Sequence, residues 1–277
     1  SADLVTDSSI RSSIGNVTTN FTMGNISNFD NAFYKGSIVL NQFNLGKIAG
    51  TISLGKITAN LNFDGRGFTQ NTVNTAINGA ISSFNFEGYN YQNIKISGNL
   101  KNPLFNGNLT INDPNLKMDF KGLIDVSKDF NQYDFEANVE FAELNKLNLI
   151  KRDSISVFAG RVVMDMDGTT LDNAKGTISL SETFYQNERD DFYFDDFNII
   201  SSFDETIHTI EINSPDIISG KISGEFLVKD IPNLFRNGVG NIYANFIPNE
   251  VTSNQYINYE FVVYNKIVDV FVPQLKL

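Results

Sequence analysis

The chain has no cysteine, no tryptophan, one histidine and only six prolines among its 277 residues. Without cysteine there is no disulfide, no thiolate metal site and no thiol nucleophile. A single histidine excludes multi-histidine metal centres and leaves His208 as the one candidate for histidine acid–base chemistry. Cations are scarce as well: 21 Lys+Arg stand against 32 Asp+Glu, a net charge of -11. That balance excludes a nucleic-acid grip, which needs clustered cations to release phosphate counterions. It also argues against a polybasic contact with anionic lipid head groups. No run approaches the ~18 apolar residues that a membrane-crossing helix needs. The densest apolar patch, Tyr259 to Val272, is broken by Asn265, Lys266 and Asp269. Phosphate-binding glycine loops and the strand–serine–helix elbow of hydrolases are missing too. The chain starts at Ser1 without Met, which fits an excised fragment better than a processed chain.

What the sequence does have is 24 Phe and 10 Tyr, too many for a disordered acidic tail. They fall in period-2 alternation. Leu116, Met118 and Phe120 share one face, with Lys117, Asp119 and Lys121 behind them. Tyr133, Phe135, Ala137, Val139 and Phe141 follow, with Asp134, Glu136, Asn138 and Glu140 behind. Such strands are half-buried, with one wet face. Leu109/Ile111, Val162/Met164/Met166, Ile178/Leu180, Ile222/Phe226/Val228 and Tyr259/Phe261/Val263 fit the same rule.

Turn signals recur about every ten residues. They are Asp64-Gly65, Asn78-Gly79, Glu87-Gly88, Asn106-Gly107, Asp113-Pro114-Asn115, Asp167-Gly168 and Ser214-Pro215-Asp216. Regular short strands with such turns predict an antiparallel meander of about 20 strands. A Gly-x-apolar triplet recurs at Gly36, Gly79, Gly98, Gly107, Gly122, Gly160, Gly176 and Gly220. It predicts strand starts that bend or come close to neighbouring backbone. Helix is expected only over 142–150 and over 231–237, the latter capped by Asp230. Residues 1–75 form a polar, β-rich leading part, and 76–277 the main β segment.

Three features with chemical potential carry more ordinary readings. His208 lies in an alternating strand, on the face of Ile210 and Ile212, with no Ser-Asp partner motif. Asp190, Asp191, Asp195 and Asp196 surround Phe192-Tyr193-Phe194 without the spacing of a calcium loop. Asn-x-Ser/Thr triplets at Asn16, Asn20, Asn25 and Asn108 are expected by chance in an Asn-rich chain. No catalysis, no cofactor and no metal is expected. The apolar face itself stands above background. Periodicity alone fits a sandwich or barrel core at least as well as an open greasy groove.

The phrasing from Phe105 to Ser127, Phe135 to Val162, Ile212 to Phe226 and Asn233 to Phe246 resembles the TamB-like, AsmA-related periplasmic proteins of Bacteroidota. The resemblance spans roughly residues 75–250. It implies an all-β fold: a long curved antiparallel sheet forming a U-shaped trough, a β-taco, apolar inside and polar outside. It implies a bridge-like lipid transfer protein, anchored in the inner membrane of a Gram-negative bacterium and reaching across the periplasm to the outer membrane. The implied partners are phospholipid and an Omp85-type barrel of the TamA kind. This sequence departs from the family pattern in lacking the N-terminal membrane helix and a clear version of the C-terminal barrel-facing domain, as expected of an internal segment. The expected groove comprises Leu109, Ile111, Leu116, Met118, Phe120, Tyr133, Phe135, Val139, Phe141, Ile178, Leu180, Ile222, Phe226 and Val228. The rival functions are an outer-membrane β-barrel and a surface adhesin or structural β-protein.

Overall fold

In the computed structural model the described residues are 4–264, apart from 29, 70, 102, 127–130, 152 and 241–246. The leading strands are β1 (Leu4–Ser12), β2 (Gly15–Gly24) and β3 (Phe33–Asn44). A short helix, α1 (Leu45–Ala49), precedes β4 (Leu54–Arg66), β5 (Asn74–Phe86), β6 (Tyr89–Lys101) and β7 (Leu104–Asp113). Then come β8 (Leu116–Val126), β9 (Asn131–Glu143), β10 (Ser156–Asp167), β11 (Lys175–Asn187) and β12 (Asp191–Asp204). The last elements are β13 (Ile207–Ser214), β14 (Ile218–Glu225), α2 (Ile231–Gly240) and β15 (Tyr256–Val263).

The fifteen strands of the described residues form one antiparallel sheet in chain order. β1 and β15 are its two ends, so the sheet is open and not closed into a barrel. Extensive strand–strand contact is confined to sequence neighbours, so among the described residues no second sheet covers the first. The fold is therefore an elongated, curved single-layer trough. The chain exposes 16840 Å², against about 12,000 Å² for a compact protein of its mass. Fourteen spacings of ~4.8 Å make the described sheet roughly 67 Å long. The sheet passes residue 75 without a break, because β5 begins at Asn74 and pairs along its length with β4.

Directly opposed residues of an antiparallel ladder share a face. One rung runs unbroken through every strand: Thr6, Phe21, Gly36, Phe63, Ile77, Gly98, Gly107, Gly122, Phe135, Met164, Ile178, Ile199, Ile212, Gly220 and Phe261. Three of the dipeptides expected at turns, Asp64-Gly65, Asn78-Gly79 and Asn106-Gly107, lie inside strands. Their glycines sit on the apolar side and their polar partners on the other. The Gly-x-apolar triplets are likewise mostly mid-strand. At Gly122, with φ 146°, an added Cβ would lie 2.3 Å from the Asp134 carbonyl oxygen and 2.4 Å from the Phe135 Cα. Only glycine permits that approach.

The meander puts the β1–β2, β3–β4 and following odd–even turns on one long side, here called the ledge. The opposite turns form the rim. Ladder registers slip between Leu40 and Phe43, between Lys117 and Met118, and between Phe158 and Gly160, all near the ledge. Gln42, Asn93 and Glu182 take positive φ along the same line. A bulge bends its strand, and a row of bulges bends the sheet. Apolar side chains from the ledge turns then fold onto the inner face. Leu45 joins Leu40 and Ile57, Leu147 joins Leu116, Val139 and Ala142, and Ile217 joins Phe194 and Phe197. The β9–β10 loop laces this side. Asn148 Nδ2 donates to the Glu87 carbonyl at 3.1 Å, and Ser154 Oγ donates to Glu188 at 3.1 Å.

The helix expected over 142–150 does not form. β9 continues to Glu143, and Leu144 to Asn148 make hydrogen-bonded turns that bury Leu147. The second expected helix is α2, longer by three residues and preceded by a 3-10 turn at Val228–Asp230. Asp230 does not serve as a simple cap. Its Oδ2 accepts from the Thr252 N–H and from Gln255 Nε2, tying the return of the chain to the start of α2.

Candidate functional site

Three more inner rungs flank the first. One runs Leu4, Met23, Tyr34, Gly65, Thr75, Leu100, Phe105, Ile124, Tyr133, Met166, Gly176, Ser201, Ile210, Ile222 and Tyr259. The next begins Ser8, Thr19, Ile38, Leu61, Gly79, Ile96, Leu109, Phe120, Ala137, Val162, Leu180 and Phe197. The last begins Ile10, Val17, Leu40, Ala59, Ile81, Ile94, Ile111, Met118, Val139 and Gly160. No Lys, Arg, Asp, Glu or His stands in any of these four rungs. Three intervals of about 6.8 Å make the uncharged band roughly 20 Å wide. The face behind it is largely polar, with Val39, Leu123, Val163 and Ile200 scattered over it, and carries the ion pairs Lys35–Asp64 at 2.9 Å and Arg161–Glu136 at 2.8 Å. Exposed pairs of this kind add little stability, so their main effect is to keep that face wet.

All the expected groove residues within strands lie on the inner face except Phe141. Phe141 opposes Lys117 on the outer side. The bulge between Val139 and Ala142 inserts one residue, and each residue inserted exchanges the faces. Phe226 and Val228 lie beyond the last residue of β14, where alternation has no meaning. Phe226 is nevertheless buried, over the His208 ring, while Val228 opens the 3-10 turn. The sequence reading missed the leading strands' share: Phe21, Ile38, Leu61 and Phe63 belong to the same face. Their signal is alternation diluted by Thr, Asn and Gly.

His208 is 2% exposed and stacked between Phe203, at 4.2 Å, and Phe226, at 5.0 Å. Ser201 Oγ donates its one proton to the Ala174 carbonyl at 2.6 Å, so it accepts from His208 Nε2–H at 2.8 Å. That fixes the tautomer and leaves Nδ1 a buried acceptor without a partner. Burial lowers the His208 pKa from its ordinary 6.5, opposed by the charge of Asp172. An unfolded chain thus takes up a proton near pH 6.5 that the fold refuses, and stability falls as pH drops through that value. It levels off below the folded pKa. Glu188 and Asp230 act in the same direction only at pH below their ordinary values of 4.5 and 3.8. Urea midpoints should therefore decline between pH 7.5 and pH 5 in the natural chain and stay level in His208→Phe. An equal decline in both would remove His208 as the cause.

A second buried polar centre sits at the ledge. Asp113, 1% exposed, accepts from the Tyr89 hydroxyl, from Gln92 N–H at 2.8 Å and from Asn115 N–H at 2.8 Å. Burial, and then the hydrogen bond to Asp113, raise the Tyr89 pKa to about 12. Every contact of this carboxylate is structural, pinning the β7–β8 turn to the start of β6. Asp113→Ala strands two backbone donors and a phenol, so it should cost about 3 kcal/mol in a urea melt. A loss under about 1 kcal/mol would show that water replaces the carboxylate.

Of the acidic cluster, Asp190 lies in the β11–β12 turn, while Asp191, Asp195 and Asp196 are exposed positions of β12. Asp191 accepts from Gln186 Nε2 at 2.7 Å. Among the described residues no group of three or more acidic or histidine side chains is placed to hold a metal. No helix among them is long and apolar enough to cross a membrane. Comparison of the chain with protein-family models, with curated proteins and with solved structures finds no match. The class is thus defined by the fold alone: an open, single-layer antiparallel trough with an uncharged inner face.

Proposed function

We propose that this chain is a lipid-conducting segment whose inner face carries phospholipid acyl chains. The observation behind this reading is the uncharged four-rung band, which crosses strand after strand with no second sheet over it among the described residues. Each methylene taken out of water there gains about 0.8 kcal/mol. Because the band repeats from strand to strand, a chain can move along it without meeting one privileged site. A passive conduit of this kind needs no catalytic group and no cofactor.

The resemblance to TamB-like proteins supplies the setting. The trough would stand in the periplasm, between an inner-membrane anchor and an Omp85-type outer-membrane barrel, and would serve outer-membrane biogenesis. Of the rivals, a closed barrel requires β1 to pair with β15, and these strands are the two ends of an open sheet. The deciding experiment is native mass spectrometry of the chain purified without detergent from a Gram-negative host. Bound phospholipid is the expected result. A lipid-free chain that also fails to move fluorescent phospholipid between vesicles would end this reading.

A further inference from the structure

The inner face is not equally open along its length. Between β14 and β15 the chain leaves the sheet at the rim and folds back over the inner side. Phe226 closes the stack on His208 of β13, whose other face meets Phe203 of β12. Val228 N–H donates to Asp172 Oδ1 at 2.7 Å, in the β10–β11 loop. Phe235 of α2 lies 4.7 Å from the ring of Tyr259, an inner-face residue of β15. We infer that 226–240 is a displaceable strap whose phenylalanines occupy the positions on β13–β15 that an acyl chain takes elsewhere on this face. This rests on the lipid-conducting reading and adds that the passage is shut at this end until the strap lifts.

The strap is built to come away. Ile231, Leu234 and Phe235 are only half-buried, Val239 is 40% exposed, and Gly240 is the sole buried residue of α2. Elements with few buried apolar contacts open at low free energy. Asp172 and the His208 stack tie the strap to strands other than its own neighbours, so they act as its latch.

Two measurements test this. In hydrogen exchange on the natural chain, α2 amides should exchange at least ~100-fold faster than those of β8 and β9, through a local opening. If α2 exchanges only together with the sheet, the strap is a fixed part and the proposal fails, whatever lipid does. For the second, the absence of native cysteine allows Phe63→Cys, Phe135→Cys and Ile222→Cys to be labelled singly with a benzophenone maleimide. Each is irradiated with phosphatidylglycerol–phosphatidylethanolamine vesicles. Lipid adducts are expected at positions 63 and 135 and weakly at 222. Adding Asp172→Ala or Phe235→Ala should raise the adduct at 222 by about threefold or more and leave 63 unchanged. Equal labelling at all three positions in the natural chain, or no response to either variant, overturns the strap. Absence of adducts at 63 and 135 as well overturns the lipid reading instead.

Discussion

With Phe135 replaced by aspartate, the chain should keep its sheet and lose its hold on hydrocarbon. Phe135 lies on the rung that crosses every strand, half-buried, its ring 5.1 Å from Phe120. Water reaches the open trough, so the carboxylate is hydrated while the face is empty. An acyl chain laid over it must strip that water, which costs several kcal/mol, on the order of 100-fold in affinity. The control is Phe141→Asp, six residues on but on the outer face. It should leave binding unchanged. Phospholipid retention by native mass spectrometry, at matched circular dichroism, reads both. Equal retention in the two variants would mean that the inner face is not where lipid lies. Val139→Asp is a poorer probe, because Val139 is buried in the ledge cluster with Leu116, Ala142 and Leu147.

The largest loss of stability is expected at Gly122. Gly122→Ala places a methyl group against the Asp134 carbonyl and the Phe135 backbone while holding an unfavourable φ of 146°. Neither neighbour can yield without breaking the β8–β9 ladder, so the cost should be about 3 kcal/mol or more. Gly50→Ala separates strain from collision. Gly50 has φ 68° but nothing within 4 Å of an added Cβ, so about 1 kcal/mol is expected there. Urea midpoints decide it, and equal losses at the two sites would show that φ alone matters.

Much of this was legible in the residues. The faces of Leu116–Phe120 and Tyr133–Val139 follow from alternation alone, because a strand with one wet face has no other periodicity. Phe141 was misread because a bulge leaves no mark in composition, only an extra residue whose effect is felt after it. Asn-Gly and Asp-Gly misled for a related reason. The glycine that suits a hairpin also suits a strand whose inner face is crowded by its neighbours, as at Gly65, Gly79 and Gly107. Asn78-Gly79 and Asn106-Gly107 place Asn outward and Gly inward, which is alternation with the side chain deleted. The strap was invisible because nothing local marks that the chain leaves the sheet after Glu225. The buried setting of His208 depends on Ser201 and Phe226, which alternation within its own strand cannot supply.

The ordering of strands by chain position has a kinetic side. Every extensive pairing joins segments adjacent in sequence, so the mean loop closed on folding is a single hairpin, however long the sheet becomes. Contact order, which slows most all-β proteins, is accordingly low for this length. A chain so built can add strands one at a time as it emerges from a ribosome or a translocon, each new hairpin docking on an edge already formed. Lengthening the trough by further strands would then extend its reach without a matching penalty in folding time.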